Sequence, residues 1–293
     1  MKTSKKSAAS AAASTTASTT ALENLKVGTG IISNSLPFTL IAGPCVMESE
    51  KHLWQMATSL QKITRELNLQ LVFKCSYDKA NRTSIGSYRG PGVKEGLKLL
   101  ASVKKKLGLT LLTDVHLPSE VETAAEVADI LQVPAFLCRQ TDLLTACARS
   151  KKIVNVKKGQ FVSPWEMRNV VQKILASGNP KIMLTERGTS FGYNNLIVDM
   201  RALEIMKSFG VPVIFDATHS VQLPGGQGGT SGGQREFVEP LARAACAIGV
   251  AGIFMEVHPD PDQAWSDGAN SIKLAHLKSL LQRLIAIDQT AKN

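Results

Sequence analysis

A chain of 293 residues and 31.5 kDa with 44% hydrophobic and 20% charged residues holds enough apolar material for one large core, which excludes fibrous, collagen-like and disulfide-scaffold classes. Five cysteines, odd in number and scattered singly, make no disulfide framework and point to a reducing, cytoplasmic setting. Thirty-four Lys and Arg against 24 Asp and Glu leave a net +10, which favours anionic partners. With aromatics at 5% and no run of five or six basic residues, the excess fits phosphorylated small molecules and argues against nucleic acid.

Residues 1 to 22 are dominated by Ser, Ala, Thr and Lys, with no aromatic and no acid, and cannot bury a core. They read as a disordered tail. The Ser/Ala bias also suits a plastid transit peptide, although no Arg is present, and the alanines are too interrupted for a secretory signal. The chain divides accordingly into a tail over 1–26 and a single catalytic domain over 27–293, opened by a small hairpin from Val27 to Leu36 that plugs the far end of the fold. No segment approaches the roughly 18 uncharged apolar residues of a membrane span.

Eight short apolar runs follow: Phe38 to Ala42, Leu71 to Phe73, Thr110 to Thr113, Ile130 to Val133, Ile153 to Val156, Ile182 to Thr185, Val213 to Phe215 and Gly252 to Met255. Between them lie segments of helical period such as Glu48 to Leu67, Val93 to Leu107, Ser119 to Ala128, Pro164 to Ala176, Arg235 to Ile248 and Ser271 to Ile287. Strict alternation implies parallel strands with right-handed crossovers. The lack of a Gly-rich dinucleotide turn after the first run favours a closed (β/α)8 TIM barrel, of α/β class, over an open sheet. Nearly every run passes at once into polar residues, and a barrel gathers the C-terminal ends of all its strands on one face, where active sites of this fold are built.

In Leu71 to Ser76, alternation puts Lys74 and Ser76 on one side and Cys75 on the other, so Lys74 facing into the barrel leaves Cys75 among the helices. The next loop carries Lys79, Asn81, Arg82, Thr83 and Ser84, the mixture of fixed charge and donors that binds phosphate; an exposed polar turn is the alternative. Lys157 and Arg187 end the fifth and sixth strands. Three cations at one mouth repel unless a multiply charged anion, or local acids such as Asp114, Glu186 and Asp216, neutralise them. Cys45, His219, Glu256 and Asp267 offer a thiolate, an imidazole and two carboxylates, a set suited to a divalent ion, although Cys45 taken singly reads as a small buried residue. Pro224 to Gly233 is a glycine-rich stretch that reads as a mobile lid or a plain loop, and it lacks the Lys-Ser/Thr ending of a Walker loop.

From about Pro37 to Ile287 the chain resembles the 3-deoxy-D-manno-octulosonate 8-phosphate synthases. The resemblance rests on Phe73-Lys74-Cys75-Ser76-Tyr77-Asp78-Lys79-Ala80-Asn81-Arg82-Thr83-Ser84, Pro134 to Leu143, Asn155 to Phe161, Glu186 to Tyr193 and Phe215 to Ser220. That family condenses phosphoenolpyruvate with D-arabinose 5-phosphate and water, releasing phosphate and an eight-carbon acid used in lipopolysaccharide. The related heptulosonate 7-phosphate synthases, which use erythrose 4-phosphate, read Lys-Pro-Arg-Thr-Ser where this chain has Lys79 to Ser84 with the extra Asn81.

The resemblance implies that Lys74, Lys79, Lys157 and Arg187 hold phosphoenolpyruvate and that Asn81, Arg82 and Ser84 hold the pentose phosphate, with Ser76 and Gln160 also at substrate-binding positions. Arg139 resembles an arginine that reaches a neighbouring subunit's sugar phosphate in a homotetramer. Lys74, Asn81, His219, Asp267 and Cys45 are the implied catalytic set. Metal-dependent members carry Cys at the position of Cys45 and metal-independent ones Asn, so the resemblance implies a divalent cofactor (Zn, Fe, Mn or Co) on Cys45, His219, Glu256 and Asp267.

Overall fold

A computed structural model describes residues 20–226 and 231–293. Residues 1–19 of the tail expected over 1–26 and the centre of the glycine-rich stretch lie outside the described residues. Eight strands form the barrel: β1 (Thr39–Gly43), β2 (Leu71–Lys74), β3 (Thr110–Asp114), β4 (Ile130–Val133), β5 (Ile153–Lys157), β6 (Ile182–Glu186), β7 (Val213–Asp216) and β8 (Gly252–His258). Each pairs in parallel with the next. Closure comes from β8 against β1, in register from Gly252↔Thr39 to Glu256↔Gly43, so the sheet has no free edge in this ring.

The strands extend past their apolar runs by as much as three residues, β8 continuing to His258. The ladder does not stop where hydrophobicity stops, because the barrel interior also buries polar side chains. Helices α1 (Glu50–Glu66), α2 (Val93–Leu107), α3 (Val121–Val127), α4 (Thr141–Arg149), α5 (Met167–Ala176), α6 (Arg201–Lys207), α7 (Val238–Ile248) and α8 (Leu274–Lys292) surround it. In α1, Leu53, Met56, Ala57 and Leu60 repeat at helical spacing and face the barrel wall, while Ser49 caps the helix by accepting from the His52 N–H at 3.1 Å.

Period-two alternation along the strands sorts the interior into layers. Ile41, Val72, Leu112, Ile130, Ile153, Met183, Ile214 and Phe254, one from each strand, form an apolar floor together with Leu25, Val27 and Ile32. The last three belong to a hairpin pairing Asn24–Val27 with Gly30–Ser33, which therefore plugs this end. It starts three residues before the expected Val27 and is preceded by a one-turn helix at Thr20–Glu23, so ordered structure begins inside the segment read as tail. Burial of Leu25 onto the floor is the physical reason.

Two residues further along each strand stand Gly43, Lys74, Asp114, Gln132, Asn155, Thr185, Asp216 and Glu256. Gln132 donates to Asp114 at 2.5 Å, Asn155 to Gln132 at 2.9 Å and Thr185 to Asn155 at 2.7 Å, a buried chain of bonds across four strands that pins their register. A Cβ on Gly43 would overlap the Lys74 carbonyl, so only glycine lets β1 approach β2 at this level.

Candidate active site

Above the polar layer the same alternation brings Cys45, Lys157 and Arg187 to the C-terminal mouth. A cavity of about 460 Å³ opens there, lined by five Lys or Arg (Lys74, Lys79, Arg82, Lys157, Arg187) against three Asp (Asp114, Asp262, Asp267). Three of the cations are paired. Lys157 Nζ lies 2.5 Å from Asp216, Lys74 Nζ 3.2 Å from Glu256, and Lys79 Nζ 3.5 Å from Asp114. Burial lowers the Lys157 pKa even against the pull of Asp216. For Lys79, burial is outweighed by the surrounding anionic groups, including Asp114, and its pKa is raised.

The two arginines differ from the lysines. Arg187 is 3% exposed, donates to the Gln222 side chain at 2.9 Å, and keeps Nη1 buried with no partner among the described residues. Burial lowers its pKa from the ordinary arginine value. Arg82 donates to Ser266 Oγ and, at 3.1 Å, to the Trp265 carbonyl. Both guanidiniums thus spend these bonds on neutral groups rather than on a carboxylate, which leaves donors for oxyanions that accept from a planar fork.

Beside them, Cys45 Sγ lies 3.1 Å from Asp267 Oδ2 and 3.1 Å from Ser266 Oγ, and donor atoms of Cys45, Glu256 and Asp267 fall within 4.8 Å of one another. His219 Nε2 stands at the edge of this group, 3.6 Å from Glu256 Oε1 and 3.7 Å from Asp267 Oδ2. Its Nδ1 is 2.8 Å from Asp216 Oδ2, so Asp216 fixes the tautomer that leaves a lone pair on Nε2. Burial opposes charge on His219, but Asp216 outweighs it and raises the pKa. Burial would also raise the Asp216 carboxyl, yet His219 and Lys157 hold it below the usual carboxylate range. The Cys45 thiol is pushed well up, by burial and then by Asp267 and Glu256. Asp267 sits in the left-handed region (φ 50°), held there by Asn270 and Ser271 N–H groups that donate to its carbonyl.

Residues 13–293 match the DAHP synthetase I family. The chain belongs to this family. Among its relatives, the 2-dehydro-3-deoxyphosphooctonate aldolase of Geobacter metallireducens is 60% identical over 272 residues, covering 93% of this chain and 98% of the relative. Proteins of the same name from Pelobacter propionicus (61% over 266 residues; 91% and 98% covered) and Syntrophotalea carbinolica (57% over 270 residues; 92% and 98%) are similar to nearly the same extent. The octulosonate branch is therefore the part of the family that this chain resembles, in preference to the heptulosonate alternative.

Of the residues singled out from sequence, Lys74, Lys79, Asn81, Arg82, Lys157, Gln160, Arg187, His219 and Asp267 line one cavity of this family member, with Cys45 and Glu256 beneath. Three do not reach it. Ser76 is fully buried and its hydroxyl is committed to Asp114 at 2.6 Å, while Ser84 is exposed beyond the lining. Arg139 lies outside its own chain's cavity, its side chain 68% exposed and 4.0 Å from Glu166. Glu186, offered as a partner for a mouth cation, instead meets Lys158, just past the end of the neighbouring β5, at 3.5 Å on the outward side. Sequence reading passed over Gln222, which bridges Arg187 and Asp267, and Ser266, which joins Arg82 to Cys45. Neither carries a charge or a strand-end position that would have marked it.

Proposed function

We propose that this chain condenses phosphoenolpyruvate with D-arabinose 5-phosphate and water to give 3-deoxy-D-manno-octulosonate 8-phosphate and phosphate. The observation that carries this reading is one cavity holding two guanidiniums bonded only to neutral groups beside buried lysines, a design for two phosphorylated substrates. C3 of the enol ether attacks the sugar aldehyde, water adds to C2, and the C–O bond to phosphate breaks. Negative charge on the carboxylate and departing phosphate is met by Lys74, Lys79, Lys157 and Arg187, already oriented by their partners, and preorganised charge of this kind is the main source of catalysis where no covalent residue acts. Arg82 and Asn81 hold the sugar phosphate. Choice of the pentose rests on Asn81 and on the names of the relatives.

We infer further that a divalent metal belongs in the site. The donor set fits: Glu256 Oε2 is buried with no hydrogen-bond partner among the described residues, His219 Nε2 lies 3.6–3.7 Å from the two carboxylates, and Cys45 supplies a soft ligand that favours Zn, Fe, Mn or Co over Mg. Held by Cys45, His219, Glu256 and Asp267, such an ion would supply Lewis acidity to the site. Phe161, Trp165, Phe191 and Tyr193, on the loops after β5 and β6, are 60–99% exposed; they support self-association through this rim, near Arg139. The test of the reaction is mass spectrometry of the product from each sugar phosphate; absence of an eight-carbon product with arabinose 5-phosphate would remove the reading.

A further inference from the structure

Outside the cavity, Glu48, His52 and His258 converge from three places: the loop after β1, the first turn of α1 and the last residue of β8. None is explained by substrate binding. We propose that these three side chains form a second divalent-metal site, taking a borderline ion such as Zn²⁺ or Co²⁺ through two imidazoles and one carboxylate.

The geometry is that of donors around a common centre. Glu48 Oε1 accepts from the Trp265 N–H at 2.9 Å and, like Oε2, lies 3.4 Å from His258 Nε2. Oε2 lies 3.5 Å from His52 Nδ1 and 3.4 Å from His258 Nε2. Ligands held about 2.0–2.1 Å from one tetrahedral ion stand about 3.4 Å apart, which is this spacing. As direct hydrogen bonds both distances exceed the usual range of about 2.7–3.2 Å. The His258 ring is anchored from its far side, Nδ1 lying 2.7 Å from the Asp260 carbonyl and 3.1 Å from the Asp260 N–H, so that Nε2 is the nitrogen turned toward Glu48.

A plain ion pair between His258 and Glu48 does not account for His52. Both of its ring nitrogens are shielded from solvent without a hydrogen-bond partner among the described residues, a costly arrangement for a polar ring unless a ligand completes it. The Ser49 cap holds this ring one turn from Glu48, and its centroid lies 4.6 Å from that of His258. The site lacks a thiolate, unlike the cluster on Cys45. An ion here would tie the loop bearing Cys45 to the one bearing Asp267, because Trp265 hangs on Glu48 two residues before Asp267.

The experiment is Co²⁺ titration of the full chain after chelator treatment, with bound metal counted by equilibrium dialysis and absorption recorded in parallel. A Co²⁺ ion on Cys45 gives a near-ultraviolet thiolate-to-cobalt band; one on Glu48, His52 and His258 gives none. Wild type is expected to bind two Co²⁺ per chain, one without the band. His52→Gln and Glu48→Gln should each lose the band-free ion and retain the other. Lack of a band-free ion in wild type overturns the proposal without need of the variants, and its retention in both variants also overturns it. The band itself reports separately whether the Cys45 cluster binds metal.

Discussion

Asp216 is the buried group on which the site's electrostatics converge, and Asp216→Asn isolates its role. Its Oδ2 accepts from Lys157 at 2.5 Å and faces His219 Nδ1 at 2.8 Å, while Oδ1 accepts from the His219 N–H at 2.9 Å and Thr218 Oγ1 at 3.1 Å. Asparagine has one oxygen and one amide, so keeping Oδ1 in place turns an N–H₂ donor toward Lys157 and His219. That leaves the Lys157 ammonium buried beside a donor and forces the proton of His219 onto Nε2, the nitrogen that faces Glu256 and Asp267. Breaking a buried charge pair by removing one partner costs about 3–5 kcal/mol, and loss of a group that orients a metal-binding histidine lowers metal affinity about 10- to 100-fold. The variant should melt roughly 5–15 °C lower and bind Co²⁺ correspondingly more weakly, with turnover reduced even at saturating metal. Calorimetry and Co²⁺ titration read the two effects separately. Wild-type metal affinity in a folded Asp216→Asn protein would refute the assignment of Asp216 as the group that sets the His219 tautomer.

Arg187→Met removes a guanidinium whose only side-chain bond among the described residues is to Gln222, and should raise KM for phosphoenolpyruvate roughly 10- to 100-fold, the equivalent of about 1.5–3 kcal/mol for a charge-assisted bond. Steady-state kinetics showing an unchanged KM would remove Arg187 from that substrate. Arg82→Ala should raise KM for the sugar phosphate more than for phosphoenolpyruvate, and equal losses on both would contradict the division of roles. Burial pushes the thiols of Cys75, Cys147 and Cys246 up to about 12, so at pH 8 only about one in ten thousand is ionised. A disulfide-exchange reagent should therefore leave them nearly unreactive in the native protein and count five thiols in denaturant; rapid labelling of three or more in native protein would show the packing is wrong.

The barrel was legible because its signal is repeated eight times: each apolar run marks a floor residue, and each polar residue two positions later marks the layer above. That spacing placed Lys74 inward and Cys75 outward, as the buried contact of Lys74 with Glu256 and the packing of Cys75 among the helices bear out. Lys157 and Lys158 obey the same rule. Lys157 meets Asp216 inside, whereas Lys158 is held by Glu186 and the Gly188 carbonyl on the other face. What alternation does not encode is which acid meets which base across the ring. The pairing of Lys74 with Glu256 spans 182 positions and follows from closure of β8 onto β1, and the bridge from Arg187 through Gln222 to Asp267 depends on loop paths with no period at all. The hairpin start was missed for a related reason: Leu25 and Val27 alternate over too few residues to stand out from the polar segment before them.

The central claim is tested most directly by the mass of the product formed from phosphoenolpyruvate when arabinose 5-phosphate and erythrose 4-phosphate are supplied together at equal concentration. The account predicts the eight-carbon 3-deoxy acid phosphate as the dominant product, its formation suppressed by a strong chelator and restored by a borderline divalent ion. A dominant seven-carbon product would contradict the assignment of Asn81 and Arg82 to the pentose phosphate and, with it, the proposed function.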